Sequence, residues 1–472
     1  MKVIHVSAEC YPVAKAGGLA DVVGALPKYQ SKEGDTVEVV MPFYNNAYVK
    51  KSHFEEVCHN RLLLGDQPYD FEVLKLNGPG NPGFNLYVIK IPGLLDRENI
   101  YSYDDDVERF TAFQIAVMDW ILNSDRKPDI VHCHDHHTGL IPFIMSYSYK
   151  YSSLKNIPTV LTIHNAQYQG WFGFNKIHYI PEFKLSNAGL LDWGGQINPL
   201  ATAIKCAWKV TTVSPSYMEE LKTSANGLEW LLDHESNKET GILNGIDPQV
   251  WDPAKDSMLV ENYSVKNSVS GKKANKEWLC KEYNLDAEKP LFIFIGRLVW
   301  EKGADILPGI FYRALINDDL EVNILALGSG SPEIESKLKS LINPFRGSYH
   351  VHIGYNERLS HVMYAGADFL LMPSRVEPCG LNQMYALRYG TIPVVHETGG
   401  LKDTVTDIEK GGFGICHKEV SVDKVYHSIQ RAAALYKEEK EFKKIQREIM
   451  KIDHSWDNSA NQYNELYTSL IR

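Results

Sequence analysis

No CxxC pair occurs among the seven cysteines, Cys10, Cys58, Cys133, Cys206, Cys280, Cys379 and Cys416. Their odd number and wide scatter exclude a disulfide framework and offer no zinc-ligand spacing. No run approaches the roughly 18 apolar residues that a membrane span requires. Internal repeats and low-complexity tracts are missing as well. Positive charge is not in excess: the formal net charge is −10, so nucleic acid and anionic membranes are both repelled. Residues 1–10, MKVIHVSAEC, enter a strand pattern at once. They carry no long apolar stretch with a small-residue cleavage site, so no secretory leader is expected. A reducing cytoplasm is the expected compartment.

What is present is an ordinary globular composition, 44% apolar and 23% charged over 472 residues. That length exceeds one core and suits two domains of roughly 200 residues each. Short β-branched and aromatic runs alternate with longer amphipathic segments from end to end. In the first half they predict strands over 2–6, 36–41, 85–91, 129–133, 159–163 and 209–213. In the second half they predict strands over 291–295, 321–327, 350–353, 369–372 and 392–395. Such runs are continuously apolar rather than alternating, as in parallel strands covered on both faces. The fold class is therefore α/β, with two Rossmann-like, doubly wound domains. Gly, Asn, Asp and Pro cluster over 241–253, GILNGIDPQVWDP, and place the domain boundary there. The expected division is 1–245, 246–454 and a terminal helix within 455–472. The polar segment 256–276 reads as a surface excursion before the second domain's first helix.

Three strand-to-helix loops carry chemistry. Residues 296–303, GRLVWEKG, place Arg297 and Lys302 on one loop directly after a buried strand. Two cations there suit a diphosphate, whose charge grows as a bond to it breaks. Glu377 opens EPCGL, a carboxylate at the mouth of a helix where sugar hydroxyls need acceptors. A structural cap is the competing account, because Pro378 and an acidic group both favour a helix start. The third loop, KAGGL from Lys15 to Leu19, sets Gly17 and Gly18 before an apolar helix, where backbone can approach a phosphate. Together the three loops point to a sugar nucleotide held between two domains. The string HCHDHH, residues 132–137, invites a metal. Neighbouring positions on a strand face opposite ways, however, and no second ligand cluster is apparent, so no metal is expected. The acids at 104–106 precede an amphipathic segment and read as helix capping. Asn244, before Gly245, has the bland account of a turn residue. His164, at a strand end in TIHNAQYQG, has that of a satisfied structural histidine.

Taken in order, these motifs span nearly the whole chain and resemble the starch and glycogen synthases of the bacterial and plastid type. The resemblance implies the two-domain GT-B glycosyltransferase architecture, its domains facing across a cleft. It implies that the first domain is the acceptor side, the second binds the donor, and the last helix crosses back to the first. Lys15 and Gly18 match the family's KxGGL loop, which faces the donor's diphosphate and sugar, and Asp21 matches its next acid, toward acceptor or donor glucose. Asp135 matches the acid of HxHDWHxG, with His136 in the tryptophan's place. His164 matches the histidine beside the reacting sugar, expected to bond its 6-hydroxyl rather than act as a base. Asn244 matches an asparagine that contacts glucose or phosphate. Arg297 and Lys302 match the residues on the leaving diphosphate, and Glu377 the acid on donor-glucose hydroxyls. Cys379, Gly380, Leu381 and Asn382 lie where backbone N–H groups approach the sugar or distal phosphate. Asn382 stands where the family usually has threonine. Tyr385 occupies a position where related transferases carry a second glutamate.

The implied reaction moves glucose from ADP-glucose to the non-reducing end of an α-1,4-glucan, with retention of configuration. UDP-glucose remains an open alternative donor, since base recognition leaves no readable signature. A related retaining transferase with a small acceptor, a pyridoxal-dependent phosphorylase and a non-catalytic glucan-binding protein are the rivals. No metal or pyridoxal phosphate is expected as cofactor, and the oligomeric state is open.

Overall fold

The computed structural model describes residues 1–32, 34–78 and 80–471. The chain divides into two compact units, 1–244 with the terminal helix from Trp456, and 245–455.

In unit 1 the strands are β1 (Lys2–Val6), β2 (Thr36–Pro42), β3 (His53–Leu64), β4 (Gln67–Asn77), β5 (Asn85–Lys90), β6 (Ile130–His134) and β7 (Thr159–Ile163). A two-stranded ribbon, β8 (Asp192–Trp193) with β9 (Gln196–Ile197), precedes β10 (Lys209–Thr212) and β11 (Glu239–Gly241). The main sheet runs β11-β10-β7-β6-β1-β2-β5-β4-β3. Pairing is parallel from β11 to β5 and antiparallel only at β5–β4 and β4–β3. The order reverses between β1 and β6, so the loops after those two strands flank a switch point. The antiparallel pair β3–β4 was not expected. Most of β3 is exposed, so it has no continuous apolar run of the kind that marks a strand buried on both faces.

The helix Gly18–Lys32 buries Leu19, Val22, Val23, Leu26 and Gln30, the spacing of one helical face. The helix Trp456–Leu470 buries Trp456, Ser459, Ala460, Tyr463 and Tyr467. These two helices share a core cluster with Val3, Ile130 and Val160. Gln30 of the first helix and Tyr467 of the second are among the polar groups turned inward.

Unit 2 contains β12 (Leu291–Ile295), β13 (Asn323–Gly328), β14 (Tyr349–Ile353), β15 (Phe369–Met372), β16 (Ile392–His396) and β17 (Ile415–His417). All pair in parallel in the order β14-β13-β12-β15-β16-β17. Read along the chain this is 3-2-1-4-5-6, the dinucleotide-fold order, with its switch point between β12 and β15. Phe292 and Phe294 pack into the core on one face, Leu291 and Ile293 into the core on the other. Two dry faces explain the unbroken LFIFI run.

The expected surface excursion at 256–276 is corrected. Tyr263, Gly271, Lys272 and Asn275 are buried, and a helix already begins at Ser268. Polar side chains hid this because their bonds are internal. Lys272 Nζ donates to the carbonyls of Ala365 and Tyr389 and to Thr391 Oγ1. A Cβ on Gly271 would lie 2.2 Å from Tyr263 Cβ, and the Tyr263 hydroxyl is tied to the carbonyls of Ala365 and Tyr389. Alanine gains about 1 kcal/mol in helix propensity, but overpacking a pinned ring costs about 1–3 kcal/mol. Gly271→Ala is therefore expected to destabilise the protein, seen as a lower urea midpoint.

The acids at 104–106 also act differently from caps. Asp105 makes no side-chain cap bond at the helix Asp106–Asn123; the Arg97 guanidinium grips it in two bonds of 2.6 Å. Asp106 accepts from the Ser102 amide at 2.9 Å and pairs with the buried Arg109. A guanidinium competes for a carboxylate better than a neutral amide does.

Candidate active site

At the unit 2 switch point two loops meet. The loop after β12 carries Arg297 and Lys302, and the loop after β15 carries Glu377. They are stitched together by backbone, since the amides of Arg375 and Val376 both donate to the Glu301 carbonyl (2.8 and 3.3 Å). Gly303 has φ +67°, and a Cβ there would stand 2.2 Å from the Pro373 carbonyl oxygen. Only glycine allows that approach, which draws Lys302 against the second loop.

Lys302 Nζ donates to both carboxylate oxygens of Glu377, at 2.7 and 2.6 Å. Ser374 Oγ donates to Glu377 Oε2 at 2.9 Å. The side chain of Glu377 is 7% exposed and that of Lys302 26%, so the carboxylate is nearly dry while the ammonium still reaches solvent. Arg297 is exposed and has no protein partner among the described residues. Cys379 and Gly380 are buried behind Glu377. The backbone at Leu381 leads into the helix Asn382–Arg388, and Asn382 Nδ2 donates to the Ile295 carbonyl at the end of β12 (2.7 Å). Its amide thus ties the start of that helix to the end of β12. Tyr385 stacks on Trp251 with ring centroids 3.7 Å apart.

In unit 1 the loop after β1 carries Lys15, Gly17 and Gly18. Lys15 Nζ pairs with Asp21 Oδ1 at 2.7 Å, on the exposed surface of the loop. A Cβ on Gly17 or Gly18 would meet nothing within 4 Å, so packing inside the chain does not require either glycine. The loop is held from below by the buried Glu9. Its carboxylate accepts from the amides of Ala16 and Gly17 and from the Tyr101 hydroxyl.

Asp135 follows β6 with φ +57°, a strained setting for a residue with a Cβ. Its Oδ1 accepts from the His164 amide at 2.7 Å. Burial pushes the Asp135 carboxyl up to about 7 and the His164 imidazole down to about 3. His164 Nε2 faces His134 Nδ1 at 2.9 Å. Asn244 ends the unit, and its Oδ1 is buried without a partner among the described residues.

The histidines crowd further than the sequence implied. His5 on β1 joins His132 and His134 on β6, with nitrogens within 4.8 Å of one another. Where the sequence showed no second ligand cluster, the fold thus brings one further histidine, His5, to HCHDHH. All six ring nitrogens of this trio already meet a protein group at 3.0 Å or less.

Against known proteins, the family described as "Starch synthase catalytic domain" matches residues 2–234, and "Glycosyl transferases group 1" matches 275–449. The glycogen synthase of Flavobacterium johnsoniae is 54% identical over 100% of both chains. That of Clostridioides difficile is 38% identical, again over 100% of both. The chain belongs to the glycogen and starch synthase family. It is a glycosyltransferase of the GT-B fold, as its solved relatives are. The catalytic domain of starch synthase IV from Arabidopsis thaliana, solved bound to ADP and acarbose, aligns with a TM-score of 0.90 at 32% identity, covering 100% of this chain and 99% of that one. Sucrose-phosphate synthase from Thermosynechococcus elongatus, at 16% identity and a TM-score of 0.63 over 99% and 98% of the chains, shares the fold.

Several residues of this family member's site escaped the sequence reading. Ser374 lies three residues before Glu377, and only the turn of the loop shows that its hydroxyl reaches back. Glu9 sits in SAEC after β1; an acid just past a buried strand was the available signal. His5 fell inside the run 2–6, read only as a strand, and Gln30 drew no reading from the sequence; a polar residue on an apolar helix face was the available clue there.

Proposed function

We propose that this glycosyltransferase moves glucose from ADP-glucose to the non-reducing 4-hydroxyl of an α-1,4-glucan and retains the anomeric configuration. Unit 2 takes the donor and unit 1 is the acceptor side. The observation that carries the reading is the Lys302–Glu377 constellation at the unit 2 switch point, on a loop whose Arg297 has no protein partner among the described residues. Open α/β sheets bind ligands at such points. Lys302 and Arg297 face the diphosphate, and Glu377 accepts from glucose hydroxyls and stabilises positive character at the anomeric carbon.

The bond from the anomeric carbon to the diphosphate oxygen breaks as the bond to the acceptor O4 forms on the same face. The acceptor's proton passes to the departing phosphate, giving ADP and a glucan one residue longer. Neither a metal nor pyridoxal phosphate takes part, because the two cations supply the charge that the leaving group needs. Gly17 and Gly18, which packing does not require, leave room for a phosphate or sugar beside the loop at Lys15. The ADP and acarbose carried by the Arabidopsis relative support an adenine nucleotide and an oligosaccharide as ligand classes. All seven cysteines are unpaired thiols, in keeping with a cytoplasmic setting.

The test offers ADP-glucose and UDP-glucose separately, each with glycogen, and follows nucleotide release and polymer growth together. ADP-glucose is expected to support both at a rate at least tenfold above UDP-glucose. Growth from UDP-glucose alone overturns the donor assignment. Nucleotide release without polymer growth overturns the acceptor.

A further inference from the structure

The centre of the unit 1 sheet has one face that is polar and dry. His5 stands in register with His132, His134 with Thr162, and Thr162 with Thr211. Strand alternation puts them all on one side. Each is 0% exposed, as is Gln30 above them on the helix Gly18–Lys32. Tyr467, from the terminal helix, is equally buried. Such a row would be costly unless every group were bonded.

The bonds have a direction that can be worked out from one end. The Leu161 carbonyl can only accept, and Thr211 Oγ donates to it at 3.2 Å. A hydroxyl has a single proton, so in the 2.6 Å contact between Thr211 and Thr162 it is Thr162 that donates. The Thr162 oxygen then accepts from His132 Nε2–H at 2.6 Å. A neutral ring has one N–H, which leaves His132 Nδ1 to accept from the Tyr467 hydroxyl at 2.6 Å. The Tyr467 oxygen accepts from Gln30 Nε2 at 3.3 Å, which turns Gln30 Oε1 toward His5. His5 Nε2–H donates to it at 2.9 Å. His5 Nδ1 therefore accepts from His134 Nε2–H at 3.0 Å, and His134 Nδ1 accepts from His164 Nε2–H at 2.9 Å. His164 Nδ1 is left as a bare lone pair with no protein partner among the described residues. The opposite polarity would take the Thr211 proton from Leu161 and turn the Gln30 amide over.

We infer that Gln30, Tyr467, His5 and His134 are positioning residues that hold His164 in its Nε2–H tautomer, making its Nδ1 an obligate acceptor for a sugar hydroxyl. Burial lowers all four imidazoles, His5 to about 4 and His164 to about 3, so each ring is neutral near pH 7 and carries one N–H. An acceptor-only nitrogen recognises a hydroxyl and discriminates against a group that cannot donate. The ligand class rests on the proposed function; the tautomer does not.

Long-range proton–nitrogen spectra of the full chain, labelled with ¹⁵N-histidine and assigned with His→Asn variants, test the tautomer without substrate. His5, His132, His134 and His164 are all expected in the Nε2–H form. A protonated Nδ1 on His164 overturns the inference, whatever the activity assays give. Gln30→Leu removes the acceptor that orients His5. It is expected to convert the His164 signals to a tautomer mixture and to lower kcat/KM about tenfold, the scale of one hydrogen bond. Tyr467→Phe, which frees His132 and the Gln30 amide, is expected to act in the same direction. Unchanged His164 nitrogen shifts in both variants, with a folded circular-dichroism spectrum, also overturn it.

Discussion

Lys302→Ala is expected to lower turnover by about two to three powers of ten at saturating donor, the scale for losing one preorganised electrostatic partner. That is about 2.7–4 kcal/mol of transition-state stabilisation. The expectation rests on placement. Lys302 ends a loop pinned by Gly303 against the Pro373 carbonyl, at the carboxyl edge of β12, where a departing diphosphate would gain charge. Its side chain keeps 26% exposure while gripping a carboxylate that keeps 7%, so the ammonium is free to engage a second anion. As an exposed surface pair it would be worth under about 1 kcal/mol, and its loss would barely touch turnover. Lys302→Arg separates charge from shape: the guanidinium keeps the charge but cannot act as a compact point donor, so partial recovery is expected. A fall in kcat of less than fivefold for Lys302→Ala removes Lys302 from the mechanism.

Glu377→Gln is expected to cost about 10²-fold in kcat, because in the proposed reaction it removes the negative charge beside the anomeric carbon, and it also weakens a charge-assisted partner of Lys302. The amide keeps the size of the side chain and one acceptor for Ser374 Oγ, so the fold should survive, as a thermal melt would show. The informative measurement is the double variant. Residues that act as one unit are strongly non-additive, so Lys302→Ala with Glu377→Gln should be at most a few-fold slower than the slower single variant. Multiplicative losses would mean that Lys302 and Glu377 act on separate parts of the reaction, and would dissolve the constellation on which the proposed mechanism stands.

Reading the fold from sequence worked where burial leaves a local trace. The run LFIFI from Leu291 to Ile295 is apolar because both faces of β12 are covered, and the same logic marks β1, β7 and β15. It failed at β3, whose residues are mostly exposed, and at the three-residue strands β11 and β17, too short to show any period. It failed again over 256–276, where Lys272 and Asn275 looked solvated but spend their polar atoms on internal partners. The loops bearing Lys302 and Glu377 were legible because each short string sits directly after such an apolar run. That Nζ of one and the carboxylate of the other lie 2.6 Å apart, across 75 residues of chain, was not.

The division follows from the range of the forces. Apolar periodicity, glycine placement and loop composition are properties of neighbouring residues, so the α/β class, the paired Rossmann-like architecture and the positions of the chemical loops were all determined by the chain read as a string. Strand order is a choice among distant partners, and no local property of β12 announces that β15 and β13 will flank it. The direction of the proton chain from Leu161 to His164 is of the same kind. It joins strands β1, β6, β7 and β10 to two helices at opposite ends of the sequence, and a hydrogen bond exists only where folding has brought its donor within about 3 Å of its acceptor.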